Sequence, residues 1–326
     1  MNTWQWLTMA FQFRGSVAPI VLPRVLGFTA FAYGISWLYQ LKYIGASAVL
    51  ESLTGNVVYN LVLGLLLVFR TNAAYDKFWE GRKLWGTLVV NIRNLAREIH
   101  VGSPLGSEEI RVSEEISGSE EIRESAESKV AKFRVIKLLN AFAIATKLHL
   151  RQEPIDESLK ALISESEALK LEQVSNPPLE ITLWIGDYFH RQYRSQQIDS
   201  NRLNLLTYAL NSLIEGLTGC ERINKTPIPL AYGIYLKRLI LIYCLSLPFH
   251  FVRDLGLWTA VFVGIVSFVL LGVEEIAHEI EMPFGKDPND LPLDRICQDI
   301  IENTEAIMAF NLSSDLQDLQ SSSSQI

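Results

Sequence analysis

The chain has 326 residues, of which 49% are hydrophobic and 20% charged, with a formal net charge of −7 and a mean hydropathy of +0.17. The acidic balance argues against a nucleic-acid binder, which carries a basic face. Three cysteines, Cys220, Cys244 and Cys297, lie far apart with no CxxC pair, so neither a zinc site nor a disulfide framework is suggested.

The hydropathy is high for so charged a chain, and the apolar residues are concentrated in two blocks, residues 20–70 and 228–273. The opening MNTWQWLTMAFQFRGSVAPI lacks the basic start, apolar run and cleavage site of a secretory signal, and residues 1–24 read as a retained, cytoplasmic or interfacial segment. Trp4, Trp6, Phe11 and Phe13 suit a membrane interface, where aromatic rings settle, or packing on the protein's own body. Pro19 and Pro23 lead into the first predicted membrane helix, Val25–Leu41, and Lys42–Gly55 connects it to the second.

That second segment, Val57–Phe69, is short. At about 1.5 Å per residue it offers roughly 20 Å of apolar helix against a hydrocarbon core of about 30 Å. It cannot span alone while facing lipid, which fits a place inside a bundle or around a channel. Leu61, Leu65 and Phe69 recur every four residues and share a face. Arg70 then ends the apolar run, and TNAAYDKFWEGRKLWG continues with no Pro or turn cluster. An ordinary packing seam has the same periodicity. The short apolar length and the switch at Arg70 favour a helix that passes from membrane to cytoplasm and lines a pore.

Residues 71–227 read as a cytoplasmic helical region. It contains an acidic insert, 102–129, in which GSEEIR, VSEEIS and GSEEIR follow one another from Gly106 to Arg123. Such composition predicts a solvated loop or a mobile exposed helix. Helices are predicted over Ala131–Leu150 (ended by Pro154), Asp156–Gln173, Leu179–Gln197 and Asn201–Cys220, with no sustained strand alternation anywhere. The second apolar block, residues 228–273, is entered through Pro227 and Pro229. Pro248 is expected to kink or end its first helix, Arg253–Asp254 to form an outer turn, and Leu255–Val273 to span. A cytoplasmic helix and loop over 274–310 and a flexible tail, 311–326, complete the chain. Basic residues flank the inner ends of four spans, which places both termini and the central region in the cytoplasm.

Catalytic signals are weak. Glu274 and His278 share a helical face that would suit a metal, but HEIEM is not HExxH, and a salt-bridged helix explains the cluster. With no Gly-rich phosphate loop and no GxSxG elbow, the chain does not read as an enzyme. Asp287, Asn289 and Asp290 in MPFGKDPNDLPLD offer oxygens that calcium would accept, or form a plain Asp/Pro turn.

FRGSVAPIVLPRVL, FRTNAAYDKFWEGRKLWG, GCERINKTPIP, LPF and MPFGKDPNDLPLD, in this order, resemble the prokaryotic and plastid branch of the bestrophin family over residues 11–100 and 180–310. The resemblance implies an all-α membrane protein: a homopentamer around a central pore, with four transmembrane helices and a large helical cytoplasmic region per subunit. The family's neck of three apolar rings maps to Leu61, Leu65 and Phe69 by counting back from Lys77-Phe78-Trp79, and a second constriction maps within Ile198–Leu205. In animal relatives the loop after the last membrane helix helps to bind calcium. Asp287 and Asp290 match its acidic positions as candidate ligands, while Pro288 and Asn289 stand where carboxylates are expected. The expected function is passive conduction of anions, chloride or bicarbonate, since weakly hydrated anions lose less on entering an apolar neck. A cation-selective (sodium or potassium) channel of the same fold and a membrane-anchored scaffold are the alternatives. Membrane lipid and small inorganic ions are the other partners, and no cofactor beyond calcium is implied. The expected location is the inner membrane, with the thylakoid membrane as the alternative.

Overall fold

The computed structural model describes residues 2–10, 12–13, 15–43, 55–101 and 119–310, with backbone only at 3, 10 and 119–129. Phe11, Arg14, most of the connection between the first two apolar helices and the predicted flexible tail lie outside the described residues. So does the acidic insert as far as Gly118; its last residues enter a helix as backbone alone. The described residues are helical and contain no strand: α1 (Thr3–Ala10), α2 (Ala18–Gln40), α3 (Val57–Val101), α4 (Ser119–Arg151), α5 (Glu157–Lys160), α6 (Glu165–Gln173), α7 (Pro177–Arg194), α8 (Ser200–Lys225), α9 (Leu230–Leu255), α10 (Thr259–Ile280) and α11 (Leu293–Ala309). They divide into one unit of Met1–Glu80 with Lys225–Asp290 and a second of Gly81–Asn224 with Leu291–Ile326.

The first unit holds the apolar helices. Those long and apolar enough to cross a membrane are Ala18–Gln40, Val57–Val101 and the run Leu230–Ile280. That run is two helices, α9 and α10, joined by a 3-10 turn at Gly256–Trp258 and packed on each other. Gly256 closes α9 at φ 55°, ψ −126°, a conformation that a side chain would make costly. Arg253 and Asp254, expected to form this turn, are still helical. Pro248 does not end α9 either: it sits within the helix, buried, and forfeits only its own hydrogen bond to the turn before. Likewise α2 starts at Ala18 rather than Val25, with Pro19 in its first turn, where a missing N–H costs nothing, and Pro23 inside it.

The core of this unit joins Val17, Val21 and Val25 to Leu63 and Leu67 of α3, Leu236, Ile240 and Cys244 of α9 and Leu271 of α10. A second cluster gathers Ala32, Leu247, Ala260 and Val263. The buried hydroxyls of Ser36 and Ser267 return to their own helices, to the Ala32 and Gly264 carbonyls, which satisfies them where no water is available. Outward, Leu26, Trp37, Ile242, Val261, Ile265 and Phe268 stay exposed, an apolar coat far beyond what a protein surface in water tolerates. Trp4, Trp6 and Phe13 are exposed as well.

In the second unit, α3 contributes Trp85, Leu88, Ile92 and Leu95 to a core with Phe142 of α4, Ile185 and Phe189 of α7, Leu213 and Leu217 of α8 and Ile300 of α11. The acidic stretch expected as one helix from Asp156 to Gln173 is two, each begun by its own cap. Asp156 accepts the Leu159 N–H, and Ser164 forms a reciprocal capping box with Glu167. Helix α8 extends to Lys225, beyond the predicted end at Cys220.

Candidate pore-lining site

Helix α3 has two faces in its apolar part. Leu63 and Leu67 are 4% and 7% exposed, whereas Leu61, Leu65 and Phe69 are 59%, 45% and 60% exposed. Both sets are equally apolar, so hydrophobicity did not sort them; the packing of α2, α9 and α10 did. The three residues expected as a neck lie together on the uncovered face, one turn apart along the axis. The same face continues through Asn72, Asp76 and Trp79, all exposed, so the apolar stripe gives way to polar side chains within a turn of Phe69.

Behind this face the helix is held by polar contacts. The Tyr232 hydroxyl donates to the Leu66 carbonyl at 2.7 Å, and the Tyr59 hydroxyl donates to the Leu239 carbonyl at 2.7 Å. One turn further on, Arg70 departs from expectation. Read in the sequence as the point where the helix meets water, it is 6% exposed, and its guanidinium donates to Glu281 Oε2 at 2.6 Å. The other oxygen, Glu281 Oε1, accepts the Ile228 N–H at 2.8 Å, and Lys77 Nζ lies 3.9 Å from it while donating to the Thr226 carbonyl at 3.0 Å. Burial alone would raise the Glu281 carboxyl. The Ile228 N–H, the Arg70 hydrogen bond and the positive charges of Arg70 and Lys77 outweigh it, and the group sits below its ordinary value.

Glu281 is one of three buried carboxylates at the end of the last apolar helix. Glu275 meets Arg24 of α2 at 2.7 Å and Glu274 meets Lys237 of α9 at 3.6 Å. Each of the three apolar helices packed against α10 therefore supplies one basic residue to its exit. The salt-bridged reading of this cluster holds. Its partners were beyond reach of the sequence, since Arg70 and Glu281 are 211 residues apart and no local spacing links them.

The candidate calcium residues stand in the loop after α10. Asp290 Oδ2 accepts the Asp287 N–H at 2.8 Å, and the Asp290 N–H donates to the Asp287 carbonyl at 3.0 Å. The Asn289 side-chain amide donates to Glu279 Oε2 at 2.7 Å and to the Gly15 carbonyl at 3.3 Å. In the window of the second expected constriction, Ile198 is half-buried and precedes α8, while Leu205 of α8 is exposed.

The family described as Bacterial/Fungal Bestrophin protein matches residues 2–306. A voltage-dependent anion channel-forming protein of Nostoc sp. (strain PCC 7120) is 48% identical over 306 residues, covering 94% of this chain and 92% of the relative. A protein of the same description from Synechocystis sp. (strain PCC 6803) is 44% identical over 93% of this chain and 92% of its own. Among solved structures, a bacterial bestrophin homologue from Klebsiella pneumoniae superposes with a TM-score of 0.73 at 27% identity, covering 89% of this chain and 99% of that one. The chain belongs to the bestrophin family and is an integral membrane protein, a channel rather than an enzyme.

Proposed function

We propose that this chain forms a homopentameric channel through which anions, chloride or bicarbonate, pass passively, and that Leu61, Leu65 and Phe69 of five subunits form its apolar neck. The observation that carries this reading is the face of α3 left uncovered: the three stacked side chains are exposed in the single chain while the opposite face is buried on three other helices. Five such stripes around an axis make three apolar rings. A constriction of this kind gates by dewetting and favours ions that shed their hydration cheaply.

In this reading α2, α3, α9 and α10 make four membrane crossings, so both termini lie on one side, and the basic residues near the span ends favour the cytoplasm for that side. The inner membrane fits this arrangement, with a thylakoid membrane as the alternative. Anions are preferred over cations because the relatives in Nostoc and Synechocystis are named for anion channels and the neck itself carries no carboxylate.

Purified protein in planar bilayers tests the reading. In a KCl gradient the reversal potential should move toward the chloride equilibrium potential, and replacing all three neck residues with Ala should raise the single-channel conductance. A reversal potential at the potassium value would make the channel cation-selective. Pentamers that carry no flux would favour the membrane-anchored scaffold. Unchanged conductance in the triple variant would remove Leu61, Leu65 and Phe69 from the pore.

A further inference from the structure

The resemblance implies calcium in the loop after α10, and the arrangement of donors there does not fit it. Calcium takes six to eight oxygens at about 2.3–2.6 Å. Here the oxygens converge on N–H groups instead. Asp290 Oδ2 is engaged by the Asp287 N–H at 2.8 Å and closes that turn. Gly285 makes room for it: a Cβ at this position would fall 2.5 Å from Asp290 Oδ2. Glu279 Oε2 and the Gly15 carbonyl, one from the last apolar helix and one from the segment before α2, point at the same Asn289 amide nitrogen, at 2.7 and 3.3 Å. Gly15 adopts φ 81° and packs near Pro288, which completes the junction. Lys286 adds a positive charge to the loop itself.

We infer that the Asn289 carboxamide takes the place of a bound cation: its two N–H groups bridge Glu279 and Gly15, tie the N-terminal segment to the end of α10, and leave the protein indifferent to calcium. A carboxamide can do this because it offers two donors on one nitrogen, where an aspartate offers only acceptors. With Asn289 present, a divalent ion would have to displace both hydrogen bonds. With an aspartate there, a second carboxylate would face Glu279 and the bridge that neutral Asn289 supplies would be lost.

The test is thermal unfolding of the full-length, detergent-solubilised oligomer, in chelator and in millimolar calcium, for the wild type, Asn289→Asp and Asn289→Ala. The wild type should melt at the same temperature in both. Asn289→Asp should melt about 2–4 °C lower in chelator, of the order expected for losing one weak interaction, and recover when calcium is added. Asn289→Ala should show the loss without the recovery. A wild type that calcium stabilises, or an Asn289→Asp variant that melts like wild type in chelator, overturns the inference. If Asn289→Asp does not assemble, the wild-type calcium response and the Asn289→Ala melt still decide it. None of these readouts depends on conduction, so the inference stands or falls separately from the anion-channel reading.

Discussion

Removing the Glu281 carboxylate should destabilise the protein more than any change on the exposed face of α3. Its partner Arg70 is 6% exposed and Glu281 7%, so truncation to Ala strands a guanidinium away from water and also frees the Ile228 N–H. Breaking one side of a buried pair costs about 3–5 kcal/mol, whereas replacing both partners with apolar residues of similar size is often neutral or favourable. Glu281→Ala should therefore lower stability by about 3–5 kcal/mol, and the double variant Arg70→Met/Glu281→Leu should recover most of it. The pH dependence has a definite sign. Because the folded protein holds the Glu281 carboxyl below its usual value of 4.5, the stabilisation is complete above that value and is lost as pH falls through the lower, folded one. Glu281→Gln should lack that acid-dependent component. Thermal unfolding between neutral pH and the carboxylate range, with size exclusion to follow the oligomer, reads both effects. A Glu281→Ala variant within about 1 kcal/mol of wild type would show that the pair is not desolvated in the assembled protein.

Two further outcomes follow from other parts of the molecule. Asp76 is exposed on the face proposed to form the neck, two turns beyond Phe69. Five such carboxylates would repel anions, so Asp76→Asn should shift the reversal potential in a KCl gradient further toward the chloride value, and no shift would place this side chain away from the ion path. In the second unit, a Cβ on Gly216 or Gly219 would lie 2.6 or 2.7 Å from Leu88 or Leu84. Gly216→Ala and Gly219→Ala should each cost about 1–3 kcal/mol by overpacking, with Leu84→Ala relieving the second, as read by chemical unfolding; no cost would mean that these leucines repack freely.

Much of this was legible in the sequence because the apolar blocks and the four-residue spacing are local signals. The period of Leu61, Leu65 and Phe69 gave their common face. It could not give which face is free, since Leu63 and Leu67 are as apolar and only packing by α2, α9 and α10 distinguishes them. The prolines misled for a related reason. Pro23 read as a boundary and Pro248 as a kink or an end, yet each removes one backbone bond from a helix whose other bonds are obligatory in an apolar medium, and the helix runs through. The split of 156–173 does have a local signature: Ser164-x-x-Glu167 is a capping box that starts a new helix inside the stretch. Glu281 as the partner of Arg70 had no local signature.

The polar contacts of the first unit sit where a neck helix would need them. Side chains that face an ion path cannot also be anchored to the rest of the subunit, so the helix must be fixed from its opposite side. Tyr232 on the Leu66 carbonyl and Glu281 on Arg70 grip α3 within a turn before and after Phe69, one from the first turn of α9 and the other from the end of α10. Basic residues of α2, α3 and α9 are the ones that bind the carboxylates at the end of α10: Arg24, Arg70 and Lys237 each meet a different one. The three carboxylates that neutralise these basic residues all lie on one segment, α10 and its end. One segment therefore ties together α2, α3 and α9, and holds α3 from the side opposite Leu61, Leu65 and Phe69.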